Sequence, residues 1–297
     1  MSAPRIVLVS RRSALDELTR RHGTRMQAAF HAKARGLSLE QLERDHASLA
    51  TSIETLSGAI PARWRRANIQ RADLSRFVFE PADIIVCVGP DGLVANTAKY
   101  LEGQPVIAIN PLGKGPLTAH STASAMKALL SEGALSTEAR ALVEARIDGR
   151  PVLKALNEIY LGHRTHQSAR YALQFGDVRA QQLSSGLIVS TGSGATGWAG
   201  SIARERGHIN ILPKCTDRSL AFFVRELWSL EKKQGARVDG RIAENASLIV
   251  TSEMNEGGVL FGDGIEEDCI DFGWGTSVTL SVATQALRLV RCPAGSP

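Results

Sequence analysis

The chain has few cysteines and no long apolar run. It contains four cysteines in 297 residues, widely separated and without a C-x-x-C pair: Cys87, Cys215, Cys269 and Cys292. This usage argues against a disulfide scaffold and indicates a reduced compartment. No stretch approaches the ~20 apolar residues that a membrane span needs, and no targeting segment precedes the first apolar run at residues 6–9. We therefore expect a cytoplasmic protein with no membrane partner.

Aromatic residues and net charge are also scarce. Aromatic side chains make up 5% of the composition, and the formal net charge of +5 is spread along the chain. Nucleic-acid interfaces combine clustered basic residues with a recognisable binding motif, so we expect no nucleic-acid partner. The sequence has no internal repeat and no low-complexity tract. The 43% hydrophobic content and the length of the chain predict two domains.

The first part of the chain alternates short apolar runs with helical sequence, which is typical of an α/β domain. Three runs have the continuous apolar character of buried parallel strands: residues 6–9, 83–88 and 105–110. A helix is predicted at residues 122–130. In parallel sheets ligands bind beyond the carboxyl ends of the strands, where residues 89–92 and 110–115 are expected to lie.

Beyond about residue 121 the pattern changes to short β-like runs separated by Gly, Asn and Asp. These runs predict an all-β unit: residues 156–160, 169–175, 187–190, 247–251, 259–261, 277–282 and 286–290. Residues 141–150 are compatible with helix or strand and are interpreted as strand. The aromatic segment 221–228 is predicted to pack in the core. We expect domains at 1–134 and 135–297, with the last strands packing back on the first domain.

The turn Gly89-Pro90-Asp91-Gly92 follows a predicted strand and opens a predicted helix. Its glycines allow close approach of the backbone to an anion, and the helix N-terminus supplies oriented amides. Asp91 could accept a proton from a substrate hydroxyl. Pro-Asp-Gly is also a favourable turn sequence in its own right. The turn alone therefore leaves a catalytic and a purely structural interpretation open.

A second candidate segment, residues 184–198, runs from a strand into a loop rich in glycine and hydroxyl groups and ends on a tryptophan. Such a loop offers hydrogen-bond donors for a phosphate or ribose beside a flat surface for a base. The alternative is a flexible loop whose tryptophan packs in the core. The candidate ligand-binding residues are Ser185, Thr191, Ser193, Gly194, Thr196 and Trp198.

Asn157 and Glu158 stand together before an apolar run and say little on their own. Taken in order with the two segments above and with Asp263-Gly264, however, they resemble the NAD kinase family, which phosphorylates the 2′-hydroxyl of the adenosine ribose of NAD to give NADP. Within that family the loop and its tryptophan look most similar to the mitochondrial-type branch and its bacterial relatives.

The resemblance implies a Rossmann-like α/β N-terminal domain, a β-sandwich-like C-terminal domain and a homodimer or higher homo-oligomer. The implied substrates are NAD or NADH and ATP, with Mg²⁺ held through the phosphates and water rather than by a protein metal site. Asp91 matches the aspartate that deprotonates the ribose hydroxyl. Gly89 and Gly92 match the glycines that the phosphates approach, and Asn110, at the end of its strand, is a further candidate ligand contact. The resemblance places Asn157 and Glu158 at the ribose and nicotinamide-side hydroxyls and Ser185 at the nicotinamide amide. The remaining candidate contacts lie in the second loop: Thr191, Ser193, Gly194, Thr196 near the base and Trp198 over adenine.

Three departures from the family pattern affect these expectations. Pro90 replaces a glycine and removes a backbone donor where the donor phosphates are expected. Gly192 and Ala195 replace a proline and a serine and should loosen the second loop. A lipid kinase that shares the glycine-aspartate turn, and a non-catalytic NAD(P)-binding protein, therefore stay open as alternatives. His163 and His166 lie three apart without further ligands and are interpreted as surface histidines rather than a zinc site.

Overall fold

The computed structural model describes residues 4–131, 134–228 and 237–292. The chain divides into two compact units, of which unit 1 comprises Met1–Glu138 with Arg288–Pro297 and unit 2 comprises Ala139–Leu287. The limits expected from the sequence, 1–134 and 135–297, stay a prediction.

Eighteen strands occur among the described residues. In chain order they are β1 (Arg5–Ser10), β2 (Arg65–Gln70), β3 (Ile84–Val88), β4 (Pro105–Ile109), β5 (Thr137–Arg140), β6 (Val143–Ile147), β7 (Arg150–Ala155), β8 (Glu158–His163), β9 (Ala169–Phe175), β10 (Val178–Ser184), β11 (Leu187–Ser190), β12 (Leu220–Val224), β13 (Asp239–Ile242), β14 (Ser247–Ser252), β15 (Gly258–Gly262), β16 (Ile265–Asp271), β17 (Ser277–Val282) and β18 (Leu287–Val290).

Six α-helices accompany the strands: α1 (Ala14–His22), α2 (Arg25–Ala34), α3 (Leu39–Ala59), α4 (Asp91–Ala98), α5 (Thr122–Leu130) and α6 (Trp198–Arg206). The hydroxyl of Ser38 accepts the amide of Gln41 and so caps the start of α3. The weak helical periodicity of residues 13–35 predicts one helical segment, but two helices form there, because Gly23 adopts a φ of 82° and Thr24 caps a new helix. None of the helices in the described ranges combines the length and apolarity needed to cross a membrane.

Unit 1 is built on a sheet with the strand order β2-β1-β3-β4-β18-β5. The pairs among its first five strands are parallel. Strands β1, β3 and β4 are almost wholly apolar and buried, as expected for parallel strands covered on both faces. Leu49 and Leu56 of α3, and Ala125 and Leu129 of α5, share a core with these strands. The α/β architecture inferred from the sequence is confirmed.

Unit 2 contains two six-stranded sheets, ordered β10-β9-β14-β17-β6-β7 and β13-β12-β11-β8-β15-β16. Alternating apolar residues of both sheets form one shared core, which makes the unit a sandwich and confirms the expected fold class. Strand β6 confirms the interpretation of residues 141–150. The helix α6 was not predicted. Phe222 and Phe223 are buried as expected, but the prediction was wrong for Trp228, which is 62% exposed because it lies beyond the end of β12.

Candidate functional site

Asp91 is the first residue of α4, directly after β3 and the Gly89-Pro90 pair. Pro90 occupies the N-cap position without a side-chain cap. The amide of Gly89 donates to the carbonyl of Ile109 at 2.9 Å, which joins this turn to the end of β4. A Cβ at Gly92 would meet no atom within 4 Å, so the space beside this residue of the first helical turn is open. The turn thus presents the carboxyl end of a parallel strand and a helix N-terminus to a ligand.

The carboxylate of Asp91 is held by residues that follow β4. Thr118 Oγ1 donates to Asp91 Oδ1 at 2.7 Å, and the amide of Leu117 donates to Oδ2 at 3.3 Å. Gly115 lies against the same carboxylate. Sequence reasoning placed residues 110–115 at this edge of the sheet but did not identify Thr118. The only sequence signal for Thr118 was its position shortly after the polar end of a buried strand.

Asn110 shapes the turn after β4. Its Oδ1 accepts the amide of Leu112 at 3.1 Å, and its carbonyl accepts the amide of Gly113 at 3.2 Å. This is the hydrogen-bonding pattern by which an asparagine stabilises a turn. Asn110 therefore stabilises the turn after β4 in unit 1. The ligand contact expected of Asn110 stays a prediction.

In unit 2, Asn157 and Glu158 form the corner between β7 and β8, and Asp263 holds this corner. The Asp263 carboxylate accepts the amide of Asn157 at 2.7 Å and that of Leu156 at 3.1 Å. The amide of Asp263 donates in turn to the carbonyl of Glu158 at 3.0 Å. Asp263 adopts a φ of 56°, which is uncommon for a residue other than glycine. The motif residues Asn157, Glu158 and Asp263 are therefore brought together.

Glu158 has an unusual electrostatic environment. Burial disfavours its ionised form, and the nearby negative charge of Asp263 adds to the effect, so that the pKa of Glu158 is raised to about 7. Near neutral pH its protonated form can donate a hydrogen bond as well as accept one.

The loop after β11 is tied to the same corner by Thr191. The amide of Thr191 donates to the carbonyl of Asn157 at 2.9 Å, and its hydroxyl donates to the carbonyl of Leu156 and accepts the amide of Ser193. A Cβ at Gly194 would collide with the carbonyl of Asn157. Thr191 is fully buried. Thr191 and Gly194 therefore fix the conformation of the loop. The hydroxyl of Ser193 is buried and has no partner among the described residues.

Trp198 begins α6, and its ring contacts an aromatic ring and a guanidinium. Its ring stacks with that of Tyr160 at a centroid distance of 5.8 Å and an angle of 13°, and the guanidinium of Arg225 lies 4.8 Å from the Trp198 ring centroid. The hydroxyl of Tyr160 donates to the carbonyl of the exposed Ser185 at 3.1 Å. Thr196 is exposed in the short turn before Trp198. Sequence reasoning missed Tyr160, although its spacing of two from Glu158 places both side chains on one face of β8.

His163 and His166 do not join these groups. Together with Trp228 and Trp274 they line a separate cavity of about 950 Å³ in unit 2. His163 Nδ1 accepts the amide of Thr165, and His166 is exposed. In the described part of the chain no three His, Cys, Asp or Glu residues are placed to hold a metal ion.

Proteins named NAD kinase or NADH kinase are among the known proteins similar to this chain. No protein-family model matches it. NAD kinases from Methanospirillum hungatei, Aromatoleum aromaticum and Burkholderia cenocepacia are 31%, 32% and 34% identical over 124, 149 and 133 residues. The matched regions cover 40%, 45% and 41% of this chain and 46%, 50% and 44% of those proteins. The chain thus spans about half the length of the curated relatives it matches.

Two solved structures share the fold over nearly the whole chain. An NAD kinase from Archaeoglobus fulgidus, in complex with ATP, superposes with a TM-score of 0.58 and 18% identity over 97% of this chain and 94% of that one. Yeast NADH kinase, complexed with NADH, superposes with a TM-score of 0.63 and 12% identity over 97% and 83% of the two chains. At these identities the two structures establish the fold.

Proposed function

We propose that this chain, whose curated relatives and structural neighbours support the NAD kinase family, transfers the γ-phosphate of ATP to the 2′-hydroxyl of the adenosine ribose of NAD or NADH. The observation that carries the proposal is the placement of Asp91. Its carboxylate lies at the start of a helix that follows a buried parallel strand. Thr118 fixes its orientation, and the space beside the neighbouring Gly92 is open.

Asp91 would act as the general base. The ribose hydroxyl is a weak nucleophile until its proton is accepted, and a carboxylate in hydrogen-bond reach accepts that proton as the bond to phosphorus forms. Each Asp91 oxygen accepts one donor from unit 1 and retains a lone pair for the substrate. The free amides of the first turn of α4 would attract the phosphates, although Pro90 supplies none of them.

The residues of unit 2 would bind the dinucleotide. Asn157 and Glu158 would hold the ribose and nicotinamide-side hydroxyls, and Ser185 would contact the nicotinamide amide. Thr196 and Trp198 would lie at the adenine base. This assignment is supported by the resemblance of the motifs and by the hydrogen bonds through which Asp263 and Thr191 fix the Asn157–Glu158 corner.

Mg²⁺ is the expected cofactor. We expect this cation to be carried largely by the nucleotide phosphates and water. When bound, Mg²⁺ would neutralise charge on the transferring phosphate.

Assembly and location follow from the same proposal. We expect a homodimer or higher homo-oligomer on the family resemblance, and a cytoplasmic location because all four cysteines are free thiols. Within the family, the loop of residues 184–198 supports the mitochondrial-type branch and its bacterial relatives.

A direct assay separates this proposal from its alternatives. The purified protein is incubated with ATP, Mg²⁺ and either NAD, NADH or a lipid alcohol, and NADP(H) is measured with an NADP-specific dehydrogenase. We expect NADP or NADPH to form. Phosphorylation of the lipid alcohol but not of NAD or NADH would identify a lipid kinase. Binding of NAD without consumption of ATP would identify a non-catalytic protein. In that case the backbone donor missing at Pro90 would have contributed to the loss of activity.

A further inference from the structure

Gly115 and Thr118 belong to none of the motifs, yet both contact the Asp91 carboxylate. We propose that the segment from Gly115 to Thr118 positions this carboxylate for proton transfer, with Thr118 as the principal positioning residue. The inference rests on the proposed function, because it takes Asp91 as the base.

The direction of the hydrogen bond from Thr118 is fixed by its neighbours. The amide of Gly115 donates to Thr118 Oγ1 at 3.1 Å, and an amide N–H can only donate. The hydroxyl proton of Thr118 is therefore free to point at Asp91 Oδ1, 2.7 Å away. A hydroxyl that accepts on one side and donates on the other has a defined orientation, and it transmits that orientation to the carboxylate.

The second carboxylate oxygen is held from the same segment. The amide of Leu117 donates to Asp91 Oδ2 at 3.3 Å, while Thr118 donates to Oδ1. One donor on each oxygen restrains rotation of the carboxylate about its own axis. Because proton transfer requires the base within hydrogen-bond reach and in line with the substrate hydroxyl, a carboxylate that turns freely would be a poorer base.

Gly115 provides an independent constraint. A Cβ at position 115 would lie closer than 3.0 Å to both carboxylate oxygens of Asp91. Any side chain there would push the carboxylate away, and glycine is the residue that leaves the space for it. Hydrogen bonding and steric clearance therefore point to the same function for this segment.

Thr97 offers a matched control for Thr118. Both threonines are fully buried in unit 1. Thr97 lies on α4 itself, and its hydroxyl donates to the carbonyl of Leu93 at 2.7 Å rather than to Asp91. Replacing either residue with valine removes one buried hydroxyl at nearly constant volume.

The test compares steady-state kinetics and thermal unfolding of these variants in the full-length protein. Thr118→Val should lower kcat about 10- to 100-fold, the range of a hydrogen bond to a charged group, with the KM for NAD changed less than about twofold. Thr118→Ser should keep most of the turnover, and Thr97→Val should leave kcat at the wild-type level. Wild-type kcat in Thr118→Val, or an equal loss in Thr97→Val, would overturn the inference.

One further variant covers the case in which Thr118→Val does not fold. Gly115→Ala should lower kcat without weakening NAD binding, and full turnover of this variant would overturn the inference. If Thr118→Val and Gly115→Ala both fold, the double variant should lose less kcat than the product of the two single fold-losses. Both substitutions displace the same carboxylate, so their effects are not independent. Failure of the wild-type protein to form NADP would instead refute the proposed function.

Discussion

At the scale of single residues, the two candidate carboxylates differ in their surroundings. Asp91 accepts hydrogen bonds on both oxygens from its own unit. Glu158 is largely buried beside the negative charge of Asp263, and its pKa is raised to about 7. Asp91 is thus held in place by its donors, whereas Glu158 carries a proton through much of the acidic range.

The raised pKa of Glu158 predicts a pH-dependent stability. Between its ordinary pKa of 4.5 and about 7, the unfolded chain loses this proton while the folded chain keeps it. The free energy of unfolding therefore falls as pH rises through that window. Glu158→Gln cannot ionise, so it should be more stable than the wild type at pH 8, by about 1–3 kcal/mol, and nearly equal to it at pH 5.

Thermal or denaturant unfolding of the wild type and Glu158→Gln at both pH values measures this difference. Glu267→Gln, at an exposed position of the same unit, controls for the substitution itself. An identical Glu158→Gln effect at pH 5 and pH 8 would show that ionisation of Glu158 does not act on stability.

Residue identities and residue contacts were not equally predictable. Asp91, Asn157 and Glu158 could be selected from the sequence because each belongs to a short motif in a recognisable order. The hydrogen bond from Thr118 to Asp91 joins residues 27 apart, and that from Asn157 to Asp263 joins residues 106 apart. No local pattern encodes such contacts, because they depend on how strands are ordered in the sheets.

At the scale of elements, the loop after β11 differs from its expectation. Gly192 was expected to loosen the loop. A Cβ at this position would instead collide with the backbone of Lys214 and Cys215, so the glycine permits two backbone segments to touch. A glycine-rich sequence is compatible with a mobile loop and with a closely packed one. Only the contacts in the folded protein distinguish these two cases.

Gly192→Ala should therefore destabilise the protein. We expect a loss of about 1–3 kcal/mol in the free energy of unfolding, as for overpacked sites, together with weaker NAD binding. Denaturant unfolding and NAD titration measure both effects. Gly273→Ala is the control, because a Cβ there would meet nothing within 4 Å. Equal stability of the two variants would indicate that the contact at Gly192 relaxes without cost.

Helix prediction succeeded where capping and periodicity were both clear. Helix α5 has the limits predicted from the sequence, residues 122–130, and the structure shows Ser121 capping its start. The break at Gly23 and the helix α6 were not predicted. Helix α6 begins at Trp198 after Gly197, which occupies the N-cap position and has no side chain to cap the helix, so the usual start signal is missing.

At the scale of the whole molecule, the sequence predicted the change from an α/β part to a β-rich part. Continuous apolar runs indicate parallel strands, and alternating runs indicate a sandwich. The strand order of each sheet was not predictable, because β18 pairs with β4 although about 180 residues separate them in the chain. The fold class therefore follows from local patterns, whereas the topology follows from long-range pairing.

We propose that Asp91 accepts the proton of the NAD ribose hydroxyl during phosphoryl transfer. The most direct test is the transfer of label from γ-labelled ATP into NADP by the wild-type protein and by Asp91→Asn, with NAD binding measured for both. The wild type should form labelled NADP. Asp91→Asn should bind NAD with similar affinity and lose about 10²- to 10⁴-fold in turnover, the usual contribution of a general base. Wild-type turnover by Asp91→Asn would show that Asp91 is not the base.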